Sequence, residues 1–178
     1  MSKLTITEAL AEIQTIRKRI SKKQEFVQNY LYRQEMLKDP LQADGGSVAA
    51  IEHELQSIHD LETRQIELRR AIARANTENT IRAGDYEKTI ADWLVWRREI
   101  APIQQAFLSR LSYQLVQIRQ EAQRKGAIVT SGEAKNPQDY VVNISEQDLA
   151  IEIENLETVL GTLDGQLSLK NATIVLDV

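Results

Sequence analysis

The chain has 178 residues, of which 42% are apolar, 27% charged and 5% aromatic, and its 22 lysines and arginines stand against 26 aspartates and glutamates for a net charge of −4. That length allows one domain with a sizeable core or two small packed units, and the absence of cysteine excludes a disulfide framework and a thiolate metal site. The charge is uneven: residues 1–126 carry 20 basic and 17 acidic side chains, net +3, whereas residues 127–178 carry 2 and 9, net −7.

The opening "MSKLTITEALAEI" turns amphipathic at once and lacks the positive end, apolar stretch and small-residue cleavage site of a signal peptide. No apolar run reaches the roughly 18–20 residues of a membrane span, so the expectation is a soluble, cytoplasmic chain with no membrane partner. Thr5 and Glu8 fit a capping box at the start of a first helix. Its seam is Ile6, Leu10, Ile13, Ile16, Ile20, Val27 and Leu31, and it should run to about Lys38, because Asp39 precedes Pro40 and the residue before a proline avoids the helical region.

Ser47 can cap a second helix with Val48, Ile51, Leu55, Ile58, Leu61, Leu68 and Ile72 on one face and Gln65 interrupting it, either as a register-fixing polar residue or as one reaching solvent. Two helices of equal length, some 45 Å each at about 1.5 Å per residue, with a short connection predict an antiparallel hairpin. Gly84-Asp85 lies between two short β-prone pieces and predicts a small β-hairpin. Thr89 and Asp92 then open a third helix, whose seam runs through Trp93, Trp96, Ile100, Ile103, Phe107, Leu111, Leu115 and Ile118 and which ends near Gly126.

In the last quarter, "AIVT" and "YVVNI" flank the turn-rich "SGEAKNPQD" and predict a second β-hairpin. Ser145 and Asp148 open a fourth helix with Leu149, Ile153, Leu156, Leu160, Leu163 and Leu167 on one face. Gly161 and Gly165 either weaken it, by about 1 kcal/mol each, or admit a close neighbour. "ATIVLDV" should be a strand returning to residues 80–88, closing a mixed sheet. The fold class is therefore mainly α: two long antiparallel helical hairpins, coiled-coil-like, with small β-hairpin or sheet elements at the ends. Residues 1–126 form the long hairpin plus third helix, and residues 127–178 the β-hairpin, fourth helix and C-terminal strand packing back on the first part.

Glu8, Ala9 and Leu10 with Arg19 and Ile20, then Ile72, Arg74, Asn76 and Thr80 before Gly84, then Thr89, Ile90, Ala91 and Asp92, form a pattern over residues 5–110 that resembles a family of small helical-hairpin proteins of bacteria and their phages, sometimes named septicolysin. The "DWLVWRR" stretch departs from it toward more aromatic content. The resemblance implies a helical-hairpin scaffold and brings no catalytic residues.

"TIADWLVWRREIAP" concentrates both tryptophans, an arginine pair and a proline. Trp93, Trp96 and Pro102 read as a structural joint, because a spacing of three puts both rings on the seam and Pro102 removes a helical N–H and presses on the carbonyl near Arg98; Trp96→Ala should then cost roughly 3–5 kcal/mol. The alternative is a ligand platform with Arg97 or Arg98 stacked on the rings. His53 and His59, six apart, do not share a helix face, and no phosphate loop or nucleophile elbow is present, so no catalytic residue, cofactor or metal is expected. Arg17, Lys18 and Lys22 with Arg69, Arg70 and Arg74 could form a basic band for phosphates, or solvated helix faces. The expectation is a non-enzymatic structural protein, a helical rod that forms homo-oligomers or joins other structural proteins of an assembly, placed in a virion if phage-encoded. A nucleic-acid-associated protein using the basic band is the alternative.

Overall fold

The computed structural model describes residues 3–134 and 136–178; Met1, Ser2 and Lys135 lie outside the described residues, so the turn expected over 131–139 is described apart from Lys135. In chain order the elements are β1 (Lys3–Thr5), α1 (Ile6–Asn29), a 3-10 turn (Gln42–Asp44), α2 (Ser47–Glu78), β2 (Thr80–Ala83) and β3 (Tyr86–Thr89). The helix α3 follows without a break as Ile90–Val95, a π-helical turn Trp96–Ile100, and Ala101–Arg124; then come β4 (Val129–Thr130), β5 (Tyr140–Val141), α4 (Glu146–Thr173) and β6 (Val175–Asp177). The fold is mainly α with small β elements. It divides into two compact units, one running to Glu78 and resuming over Ser168–Val178, the other spanning Asn79–Leu167. The division thus falls after residue 78 and within α4, not at residue 126.

In the first unit, α1 and α2 run in opposite directions, fixed by ion pairs Lys23–Glu54 at 2.7 Å and Arg64–Glu12 at 2.9 Å. Ile6, Ala9, Ile13 and Ile16 of α1 pack with Leu68, Ile72 and Ala75 of α2 and with Leu176. The capping box forms as the sequence predicts: the Thr5 hydroxyl accepts from the Glu8 N–H at 3.2 Å, and the Thr5 N–H donates to the Glu8 carboxylate at 2.7 Å.

Helix α1 stops at Asn29, short of Lys38, because beyond Val27 the chain has nothing to pack against: Leu31, Met36 and Leu37 are 69%, 86% and 55% exposed. The helices have 24 and 32 residues and are therefore unequal, about 36 and 48 Å at 1.5 Å per residue. Asp39 holds the connection, its carboxylate accepting from the Leu41 N–H and from both the N–H and the hydroxyl of Ser47. Gly45 and Gly46, both left-handed at φ 95° and 93°, complete the reversal.

The hydrogen bonds from Thr5 hold the Glu8 carboxyl below its ordinary pKa, and those from Ser47 and Leu41 do the same for Asp39. A lowered folded-state pKa contributes stability that is present above the unfolded value and lost as pH falls through the folded one. Melting temperature should therefore fall as pH drops below the usual carboxylate range near 4. Thr5→Ala removes the hydroxyl but keeps the backbone N–H bond to the Glu8 carboxylate, and Asp39 is untouched. It should therefore flatten that acid limb only in part, while shifting the neutral side by the loss of one cap, roughly 1 kcal/mol.

The C-terminal strand does not meet residues 80–88. β6 pairs antiparallel with β1, Lys3 opposite Asp177, Leu4 opposite Leu176 and Thr5 opposite Val175. The pairing carries Leu176 into the α1/α2 core, where it is 4% exposed.

In the second unit, β2 and β3 form the predicted hairpin, Ala83 opposite Tyr86, with left-handed φ only at Gly84 (60°), the pattern of a II′ turn. Thr89 caps α3 through the Asp92 N–H at 3.0 Å. At the far end Gly126 (φ 67°) closes a Schellman motif, with Ala127 N–H to the Ala122 carbonyl and Gly126 N–H to that of Gln123. Helix α4 runs antiparallel to α3, tied by Arg97–Asp164 at 2.9 Å and by Arg119–Glu146.

The buried face of α3 keeps Trp93 and Leu115 of the predicted seam and departs from it between them. Trp93, Ala101, Leu108, Leu115 and Ala122 are buried, whereas Ile100, Ile103 and Phe107 are 45%, 70% and 59% exposed. From Ala101 onward the buried residues step by seven, but Trp93 to Ala101 is eight. The π-helical turn absorbs that extra residue: the Ala101 N–H reaches back five positions to the Trp96 carbonyl. It lies just before Pro102, which has no N–H to give the Arg98 carbonyl and would collide with it in a regular turn.

β4 and β5 are parallel, Val129 opposite Tyr140, and do not make the predicted hairpin. The Asp139 side chain accepts from the Ile128 and Asn136 N–H groups and folds the intervening loop back, so that the second strand starts beside the first. On α4, Leu149, Leu163 and Leu167 are buried, with Ile153, Leu156 and Leu160 half-buried. Gly161 and Gly165 admit no close neighbour, since a Cβ at either would meet nothing within 4 Å. Gly161→Ala and Gly165→Ala should each raise stability by about 0.5–1 kcal/mol, read as an upward shift of melting temperature.

Candidate functional site

Trp93 joins the β-hairpin to α3. It is 1% exposed, and its indole N–H donates to the Ile81 carbonyl at 2.8 Å, so the largest buried side chain has its one polar atom satisfied by β2. Trp96, one turn on, is half-buried and meets Trp93 edge to face, centroids 5.3 Å apart at 83°. The cation over the ring is Lys88, its Nζ 5.1 Å from the Trp93 centroid and 5.6 Å from that of Tyr86. Arg97 and Arg98 are engaged elsewhere, with Asp164 and Glu99. Lys88 and Tyr86 are two apart on β3 and so share a face; that alternation was the sequence signal for the cation's identity.

Beside this joint opens a groove of about 700 Å³. The hairpin contributes Gly84, Asp85, Tyr86 and Lys88; α3 contributes Trp93, Trp96, Gln104, Phe107 and Leu108; α4 contributes Glu152, Asn155, Leu156, Thr158 and Val159. Gly84 brings the turn close to α4, since a Cβ there would lie 3.2 Å from Val159 Cγ2. Four of the chain's nine aromatic residues line this one concavity. The π-helical turn produces part of it, because the extra residue moves Phe107 off the buried face. Sequence reading found the tryptophans and missed Phe107 and the α4 side chains, which reach the groove only through tertiary packing.

The six basic residues of the predicted band are all exposed, and none forms an ion pair among the described residues. Arg17 sits in a shallow crease with Ser21, Gln24, Glu62 and Gln65. Arg69, Arg70 and Arg74 lie seven to twelve residues beyond Glu62 on α2, about 10–18 Å further along the axis. The antiparallel register therefore does not gather the two groups into one patch. Among the described residues no group of three or more His, Asp or Glu side chains converges as a metal site, and no helix is long and apolar enough to cross a membrane.

The class so defined is a mainly α protein of two antiparallel helical hairpins with an aromatic groove beside a π-helical turn. No protein-family model matches the chain, nor does any curated protein. A solved structure does: that of a functionally unknown conserved protein from Corynebacterium diphtheriae is similar over 99% of this chain and 100% of its own, with a TM-score of 0.56 and 20% identity. At that identity the likeness is one of fold.

Proposed function

We propose that the protein is a non-enzymatic structural or assembly protein that self-associates, or joins a larger particle, through exposed apolar faces of its helices. The observation that carries this is the apolar surface left uncovered. Ile100 and Ile103 stand out on one side of α3, and Leu31, Tyr32, Met36 and Leu37 are exposed in the connection of the first hairpin. Among the described residues, twenty apolar residues are buried and twenty-one large apolar residues are exposed. The total surface agrees. Two separate compact bodies, each of half the chain's mass, would expose about 10,600 Å² together, whereas this chain exposes 12925 Å².

Surface of this kind is covered in assemblies. A phage particle is the version that the resemblance of residues 5–110 makes natural, with the protein in the virion or the cytoplasm. No observation favours the nucleic-acid reading, given the separation of Arg17 from Arg69, Arg70 and Arg74.

Light scattering tests the proposal. The mass should exceed that of one chain and rise toward a defined oligomer with concentration. Ile103→Asp, a change at a 70% exposed position, should return it to a monomer with an unchanged circular dichroism spectrum. A parent protein monomeric at every concentration would remove self-association, the main support of the proposal.

A further inference from the structure

We propose that the groove beside the π-helical turn binds a carbohydrate, a short oligosaccharide with a sugar ring against the exposed faces of Trp96 and Phe107 and its hydroxyls held by Gln104, Glu152, Asn155 and Thr158. The inference is separate from the assembly proposal and rests on the chemistry of the lining. Phe107 is 59% exposed although its helix has a buried face available, and Trp96 turns only part of its ring into the joint with Trp93. Both rings thus offer apolar surface to a ligand's C–H face.

The polar side chains around them are free. Gln104, Glu152, Asn155 and Thr158 make no hydrogen bond or ion pair among the described residues. Together they supply amide donors, amide and carboxylate acceptors, and a hydroxyl that does both. A purely apolar ligand would leave all four facing it without partners. The lining carries one cation, Lys88, and two anions, Asp85 and Glu152, so it is matched throughout by neither a cationic nor an anionic ligand. A ligand that alternates hydroxyl groups with an apolar ring face answers every part of the lining. The volume of about 700 Å³ suits it, being within the roughly 300–1,000 Å³ of small-molecule sites.

Both tryptophans of the chain line this groove, so intrinsic emission reports its occupancy directly. The labelled full-length protein is applied to a glycan array, and the retained oligosaccharide is titrated against tryptophan emission. The expected result is a saturable emission change with Kd between about 10 μM and 1 mM. Phe107→Ala and Glu152→Gln, both at exposed positions, should each weaken binding about tenfold or more with melting temperature unchanged. Ile103→Asp should leave the titration as in the parent, which separates this site from self-association. Retention of no glycan would overturn the proposal, as would Phe107→Ala binding like the parent. So would emission that shifts with protein concentration alone and loses that shift in Phe107→Ala, since the groove would then hold a second copy.

Discussion

Trp93→Ala is expected to destabilise the protein by about 3–5 kcal/mol, the cost of emptying a buried aromatic site, whereas Trp96→Ala should cost roughly half as much because its ring is only half-buried. The ranking comes from the structure. Spacing on the helix treats the two rings alike, but only Trp93 is fully enclosed and bonded to Ile81. Trp93→Phe keeps most of the ring and removes the indole donor, leaving the Ile81 carbonyl without that partner in a buried place, for about 1–3 kcal/mol. Urea denaturation followed by circular dichroism orders the three variants, since emission itself changes when a tryptophan is removed. If Trp96→Ala proves as costly as Trp93→Ala, the hairpin is not anchored in the way its hydrogen bond indicates.

The legible parts of this fold are those decided within one turn of chain. Thr5 with Glu8, Thr89 with Asp92, Ser145 with Asp148, the Gly84-Asp85 turn and the glycine end at Gly126 all form as the residues predict, because each is an interaction over one to five positions. What was illegible was decided by distant parts of the chain. Three residues at the N-terminus have no periodicity to betray a strand, and β1 exists because β6 lies beside it. The parallel pairing of Val129 with Tyr140 goes with a contact across eleven positions, the Asp139 side chain accepting from the Ile128 N–H.

The site was half legible for the same reason. The tryptophans stand out in a chain with few aromatic residues, and Pro102 marks an irregular turn. The direction in which that irregularity would rotate the helix is not written in any local pattern. A seam at Ile100, Ile103 and Phe107 continues the 3–4 spacing from Trp96 without interruption, and only the extra residue in the π-helical turn exchanges it for Ala101 and Leu108. Phe107 thereby moved from an expected core position to the wall of the groove.

Leu68→Ala is expected to cost about 2–5 kcal/mol, as for other fully enclosed leucines; Leu68 is 0% exposed among Ile6, Ala9, Ile13 and Ile16. Its unit contains no tryptophan, yet the midpoint of tryptophan emission in urea should fall together with that of circular dichroism. The reason is α4, which belongs to both units. If Asn79–Leu167 unfolds, what remains of α4 is residues 168–173, under two turns, too short to persist unaided. Those residues carry β6 to β1 and Leu176 to the α1/α2 core, so the first unit then loses its own strand pair and the packing of Leu176. Loss of the first unit removes the seat of that same helix end. Coincident transitions from the two probes are the mark of such coupling. An emission midpoint left unmoved by Leu68→Ala would mean that α4 breaks between Leu167 and Ser168 at little cost and that the two units unfold apart.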